Sequence, residues 1–158
     1  MVEDIIREEL DKIKSSDLLS FIGCSAGPQK KSNIFIWNIL MKGPNKSCYE
    51  NALFKLLLTF PQNYPEDPPD IKFLTKIYHP NVSIDDGIIC VSSKASDWDK
   101  NTSLIDVIYS IYDLLIRPNL DHGLNKEALS LCKNDFENFK KKAKEFTAQN
   151  AILINNNN

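Results

Sequence analysis

The sequence predicts an α+β domain whose antiparallel sheet is segregated from its helices. Three observations carry that prediction. Apolar residues at helical spacing open and close the chain, three apolar runs bounded by turn residues lie between them, and one long stretch without any period separates the sheet from the later helices.

Val2, Ile5, Ile6, Leu10 and Ile13 recur at steps of three and four, which predicts an amphipathic first helix with Glu3, Asp4, Arg7, Glu8 and Asp11 on its wet side. Gly23 and the Gly27-Pro28 pair then break the chain, and a short strand fits before Gly27. Residues 34–41, around Trp37, form a strand candidate closed by Gly43-Pro44-Asn45. Residues 53–60 form a second, stopped by Pro61, and residues 71–74 a third, flanked by Pro68-Pro69 and Lys76. Connections of hairpin length imply a four-stranded antiparallel meander. From 80 to 101 no period holds. Stretches of that kind are uncommon in compact domains and are often functional, and Cys90 lies in this one.

Thr102 or Ser103 can cap the next helix, whose buried stripe is Leu104, Val107, Ile108, Ile111, Leu114 and Leu115 and which Pro118 ends. Asn125 can cap another, with Leu124 and Leu129 at hydrophobic-staple positions. The period continues through Cys132, Phe136, Phe139, Ala143 and Phe146. Asn134-Asp135 offers a second start inside that run, and periodicity alone does not choose between one helix and two. Residues 1–150 therefore read as a single domain and residues 151–158 as a disordered, Asn-rich tail.

Composition narrows the function. With 158 residues, 42% hydrophobic and 25% charged, the chain can bury its own core. A formal net charge of -2 argues against general nucleic-acid binding. Lys140, Lys141, Lys142 and Lys144 cluster, but Phe139, Ala143 and Phe146 lie among them, which reads as the solvated face of a helix. The N-terminal residues do not form a secretory signal and no run is long and apolar enough for a membrane span, so the expectation is no membrane partner. Cys24, Cys48, Cys90 and Cys132 lie far apart with no CxxC pair, which suits free thiols in a reducing cytoplasm or nucleus and gives no zinc spacing. Neither a phosphate-binding GxxxxGK[ST], a GxGxxG nor an HExxH occurs. What remains is a cysteine in an irregular segment, with only His79 and His122 as histidines.

The neighbourhood of that cysteine is specific. Tyr78-His79-Pro80-Asn81-Val82 is followed by Gly87-Ile88-Ile89-Cys90, eleven residues after the histidine, and by Trp98 eight further on. Upstream lie Cys24-Ser25-Ala26-Gly27-Pro28, Trp37, Gly43-Pro44-Asn45, Tyr49, Phe60-Pro61 and the loop Tyr64-Pro65-Glu66-Asp67-Pro68-Pro69. Downstream lie Pro118-Asn119 and Leu124. Together these resemble the active-site signature of ubiquitin-conjugating enzymes over about residues 3–148.

The resemblance implies a UBC-like fold and an enzyme that accepts ubiquitin from an activating enzyme as a thioester on Cys90, then passes it to a substrate lysine or a ligase cysteine. A thiolate suits the task because it is both a good nucleophile and a good leaving group. The reaction needs no cofactor on this chain, since ATP is consumed upstream by the activating enzyme. Asn81 is placed either to donate to the tetrahedral oxyanion or to brace its loop. His79, Pro80 and Trp98 take structural parts in the loop. His122 matches the gate position beside the thioester, where a histidine can accept a proton from an incoming lysine or stand idle in the loop. Asp106, Tyr109 and Asp113 fall on the helix face opposite the apolar stripe, the face that meets carried ubiquitin in the family, and Ser25 aligns with a back-face ubiquitin contact. Arg7 of the first helix, Glu66 and Asp67 of one loop and Asp99 and Lys100 of another fall on the ligase-binding surface.

Departures from the family pattern sharpen that expectation. Glu66-Asp67 stands where an apolar residue is frequent, and Trp98-Asp99-Lys100-Asn101 where Trp-Ser-Pro-Ala is common. Both remove small apolar anchors and point to a specialised ligase partner. Val91-Ser92-Ser93 stands where Leu-Asp is frequent, which bears on the choice between lysine and cysteine acceptors. Two further readings stay open: a conjugating enzyme for another ubiquitin-like protein, and a non-catalytic ubiquitin-binding scaffold. The scaffold reading is opposed by Cys90 in register.

Overall fold

Helix α1 (Val2–Lys14) sets its apolar residues inward, with Ile6 and Ile13 buried and Glu3, Asp4, Arg7, Glu8 and Asp11 exposed, as the periodicity predicts. Acids in its first turn and Lys12 and Lys14 in its last both suit the helix dipole. Helix α2 (Asp17–Phe21) follows, capped by the Ser16 hydroxyl, which accepts from the Leu19 N–H. Five residues are too few to show a period, so the sequence does not announce it. The computed structural model describes residues 1–90 and 98–154. The Val91-Ser92-Ser93 departure and the last four asparagines lie outside the described residues.

Four strands follow: β1 (Cys24–Lys30), β2 (Asn33–Lys42), β3 (Ala52–Thr59) and β4 (Asp70–Phe73), antiparallel in the order β1-β2-β3-β4. The meander is the predicted one, with one correction: β1 runs straight through Gly27-Pro28, where a break was expected. The reason is position. β1 is an outer strand, and Pro28 pairs with Trp37 without needing to donate on its free side. The register pairs Trp37 with Leu58, Ile39 with Leu56 and Met41 with Phe54. All six are buried, so alternate residues of the two central strands face one core. Leu40 and Lys55, paired on the other face, are exposed.

Three further helices are α3 (Leu104–Ile116), α4 (Lys126–Asn134) and α5 (Phe136–Asn150). Their caps are Ser103, Asn125 and Asp135, whose side chains accept from Ile105 N, Ala128 N and Asn138 N. Asp135 thus settles the open question of one helix or two. Leu104, Ile108, Ile111 and Leu115 of α3, Ala128 of α4, and Phe139 and Ala143 of α5 join Ile6 and the sheet in the core. A second correction concerns the tail. Ile152–Leu153 forms a short strand, β5, pairing with Leu53 and Ala52 at the start of β3, and the Ile154 N–H donates to Asn51 O at 2.8 Å. Two residues of the short apolar stretch before the asparagines are enough to extend one strand edge, a signal too short to read as periodicity.

Candidate active site

The chain enters the site through Ile77, Tyr78 and His79, all buried. The Tyr49 hydroxyl donates to Tyr78 O at 2.7 Å, and the Tyr78 hydroxyl donates to Glu127 Oε1 at 2.8 Å. Lys142 Nζ ion-pairs with the same glutamate and stands 5.3 Å from the centre of the Tyr78 ring. Helices α4 and α5 are thereby tied to the segment that precedes the motif. Sequence reasoning missed this tie, because its members are 49 residues apart in the Tyr78–Glu127 pair and no local pattern links them.

His79 is fully buried. The Asn81 N–H donates to His79 Nδ1 at 2.9 Å, so that nitrogen is an acceptor and the proton sits on Nε2, which donates to Leu114 O at 2.7 Å. Burial pushes the imidazole pKa down to about 4, against the smaller opposing effect of the Leu114 carbonyl. A neutral, enclosed ring of fixed tautomer is a structural strut.

Asn81 is buried as well, and every polar atom of its side chain is occupied. Nδ2 donates to Asn119 O at 2.8 Å and to His122 O at 2.7 Å, while Oδ1 accepts from Asn119 N at 2.8 Å. Reversing the amide would turn its oxygen toward two carbonyls, so these partners fix its orientation. The backbone of Asn81 takes a separate part: its carbonyl accepts the Cys90 N–H at 2.7 Å. Beside it, Pro80 O accepts from Leu124 N at 3.0 Å and Asn125 N at 3.2 Å. One tripeptide therefore holds both the cysteine and the loop that carries His122.

Cys90 closes a tight turn. Ser83 N donates to Ile88 O at 2.8 Å and Gly87 N to Ser83 O at 3.0 Å. Gly87 has φ +75°, and a Cβ there would run into the Phe73 carbonyl oxygen. Bridges from Val82 to Ile89 and from Lys72 to Ile88 fasten the turn to β4, with Ile89 buried as its anchor. Cys90 itself is half-buried and its thiol is free. The other cysteines are held less reactive: burial pushes the Cys24 thiol up to about 12 and also raises Cys48 and Cys132. His122 is exposed, and its backbone carbonyl accepts from Asn81 Nδ2.

The remaining predicted residues fall in two places. On α3, Asp106 is exposed, Tyr109 is half-buried with its ring 6.0 Å from that of Tyr112, and Asp113 pairs with Arg117 at 3.0 Å. The two loops expected to bind a ligase meet each other. Trp98 Nε1 donates to Pro65 O at 2.9 Å, and Lys100 pairs with Glu66 at 3.6 Å. Asp67 accepts from Asn63 Nδ2 at 2.6 Å, and Asp99 accepts from Asn101 N at 2.7 Å. Arg7 is exposed on α1 and pairs with Glu3 at 3.8 Å, and Ser25 is exposed on β1.

Glu9, unremarked in the sequence, links these regions. It is buried on α1, accepts from the N-terminal Leu104 N–H of α3 at 3.4 Å, and pairs with Lys12 at 3.7 Å. Its carboxylate also helps raise the Tyr64 phenol to about 12, after burial itself. The available signal was its spacing: an acid three residues after Ile6 and four before Ile13 lies on the apolar stripe. Among the described residues no group of His, Cys, Asp or Glu is arranged to hold a metal ion, and no helix is long and apolar enough to cross a membrane.

A family model described as "Ubiquitin-conjugating enzyme" matches residues 6–147. "Probable ubiquitin-conjugating enzyme E2 31" of Arabidopsis thaliana is 39% identical over 123 residues, covering 78% of this chain and 79% of its own length. "Ubiquitin-conjugating enzyme E2 G2" of Bos taurus is 32% identical over 144 residues, covering 83% and 87%. The fold matches a Plasmodium yoelii crystal structure described as a "putative ubiquitin conjugating enzyme", with TM-score 0.83, 34% identity and 92% of both chains covered. With relatives of one kind matching along most of their own length, and the same fold in a solved structure, the chain belongs to the ubiquitin-conjugating enzyme family, transferases that need no bound cofactor.

Proposed function

We propose that this enzyme carries ubiquitin on Cys90, as a thioester to the ubiquitin C-terminal carboxyl. The observation that carries the reading is the double service of Asn81, whose carbonyl holds the Cys90 N–H while its side chain holds the His122 loop. The Cys90 thiolate attacks the carbonyl carbon of the thioester on the activating enzyme. A new C–S bond forms, the old one breaks, and the activating enzyme's thiolate leaves. In discharge, a substrate lysine or a ligase cysteine attacks the same carbon and the Cys90 thiolate leaves in turn. When the acceptor is a lysine, its amine must lose a proton, and the exposed His122 imidazole receives it.

Asn81 is assigned as a positioning residue. Its two Nδ2 hydrogens are spent on backbone carbonyls, so donating to an oxyanion would require it to release one of them. Rate then comes from holding Cys90 and the gate loop in one geometry. The family works with ubiquitin, activating enzymes and ligases generally. For this chain, Asp106, Tyr109 and Asp113 are assigned to the carried ubiquitin, and Arg7, Glu66, Asp67, Asp99 and Lys100 to the ligase. The Glu66–Lys100 pair makes that ligase surface polar and self-paired, which favours a partner reading charge. Four free thiols among the described residues suit a reducing compartment, the cytosol or nucleus.

The test is a charging assay with activating enzyme, ATP and ubiquitin, read on non-reducing gels with and without thiol. A thiol-labile adduct lost in Cys90→Ala, and turned thiol-resistant in Cys90→Ser, is the expected result. An adduct that survives in Cys90→Ala would move the carrier to another residue. No adduct from folded protein, with charging seen only with another ubiquitin-like protein and its own activating enzyme, would change the cargo.

A further inference from the structure

Lys140, Lys141 and Lys144, which the sequence places on a solvated helix face, line an open cleft of about 1260 Å³. The cleft is bounded by the end of α2, the 42–50 segment, the end of α3 and the first turns of α5; its lysines and exposed apolar residues lie outside the site around Cys90, and Tyr49 and Tyr112 line it from the shared core side. Lys42 and Lys46 complete a set of five lysines against two glutamates, Glu50 and Glu137, on a chain whose formal net charge is -2. Lys140 pairs with Glu137 at 2.8 Å. Lys42, Lys46, Lys141 and Lys144 make no ion pair among the described residues. Positive charge is thus concentrated in one concavity of an otherwise acidic molecule, which focuses a field that attracts anionic partners.

The same cleft is apolar at its edges. Phe21, at the C-terminal end of α2, is 87% exposed, Phe136 is 51% exposed and Ile116 is 46% exposed. Single exposed apolar side chains are ordinary, but here three line one basic cleft. Lys140 Nζ lies 5.2 Å from the centre of the Phe136 ring, so cationic and aromatic features interleave. A bare anion would use the lysines and leave Phe21 and Ile116 in water. A flat lipid surface would not enter a concavity. An acidic protein segment carrying bulky apolar side chains uses both features at once.

We propose that this cleft is a docking site for an acidic, aromatic-bearing segment of a partner protein, separate from the site around Cys90. The probe is a fluorescein-labelled peptide of glutamates and aspartates interrupted by two phenylalanines, titrated with the full chain and followed by anisotropy. Saturable binding is expected, weakened by at least about tenfold in Lys141→Glu/Lys144→Glu and several-fold in Phe21→Ser, with thermal melts and ubiquitin charging unchanged in both variants. The proposal is overturned if the peptide does not saturate, or if the variants bind it like the parent. It is also overturned if a polyglutamate lacking phenylalanine binds as tightly, which would reduce the cleft to a charge patch. A single-stranded oligonucleotide or phosphatidylserine vesicles binding where the peptide fails would assign the cleft to another class of partner.

Discussion

The side-chain amide of Asn81 donates to the backbone carbonyl of His122 at 2.7 Å, across 41 residues of chain. The residue that holds the cysteine's backbone therefore also holds the loop that carries His122.

Asn81→Ala removes three part-buried hydrogen bonds and leaves the Asn119 and His122 carbonyls without that partner. Stability should fall by about 2–4 kcal/mol in urea titrations. Charging and discharge should slow together, since both depend on the placement of Cys90. Slowed discharge with normal charging and an unchanged melting temperature would instead restore the oxyanion reading.

His79 ties stability to pH. Its folded pKa of about 4 lies below the ordinary 6.5, so the fold prefers the neutral ring. That contribution, roughly 3 kcal/mol, is complete above pH 6.5 and is lost as pH falls from there toward 4. Urea midpoints measured between those limits should decline with acid in the parent and in His122→Gln, and decline less in His79→Gln. An equal decline in His79→Gln would place the titrating group elsewhere.

Gly87→Ala forces an ordinary side chain into φ +75° and against the Phe73 carbonyl oxygen, which accompanies the Phe73 N–H donation to Gly87 O at 2.9 Å. A loss of about 2–4 kcal/mol is expected in equilibrium unfolding, together with slower charging because the turn leads straight into Cys90. Normal charging in a folded variant would show that the turn can shift without moving the thiol.

Tyr109→Gln tests the α3 face. Tyr109 is half-buried, packs its ring beside Tyr112, and is outside the buried stripe. Stability should change by no more than about 1 kcal/mol while discharge to lysine slows by about tenfold or more. A large drop in melting temperature with unaltered discharge would make Tyr109 part of the core instead.

The sequence carries most of this fold wherever a period is long enough to read. α1, the two central strands and α3 stand where Ile6, Trp37, Phe54 and Ile108 put them, because burial repeats along each element. What it hides is short or non-local. α2 has five residues, β5 has two, and Pro28 is legible as a strand residue only once β1 is known to lie at the sheet's edge. At the site, the motif groups His79, Asn81 and Cys90 by spacing alone. The partners that decide what Asn81 does, Asn119 and His122, lie 38 and 41 residues away and show no local pattern. Glu9 is concealed differently: an acid on an apolar stripe looks like an error until the Leu104 N–H is found beside it.

Pro28 has one more consequence. An outer strand with open amides is a template on which another copy can add its own strand, the first step toward aggregates. On β1 the proline removes a donor, the register slips between Pro28 and Lys30, and Lys30 and Lys31 place charge at the strand's end. That edge of the sheet is thereby guarded against growing sideways, so crowded molecules of this enzyme should resist polymerising through β1.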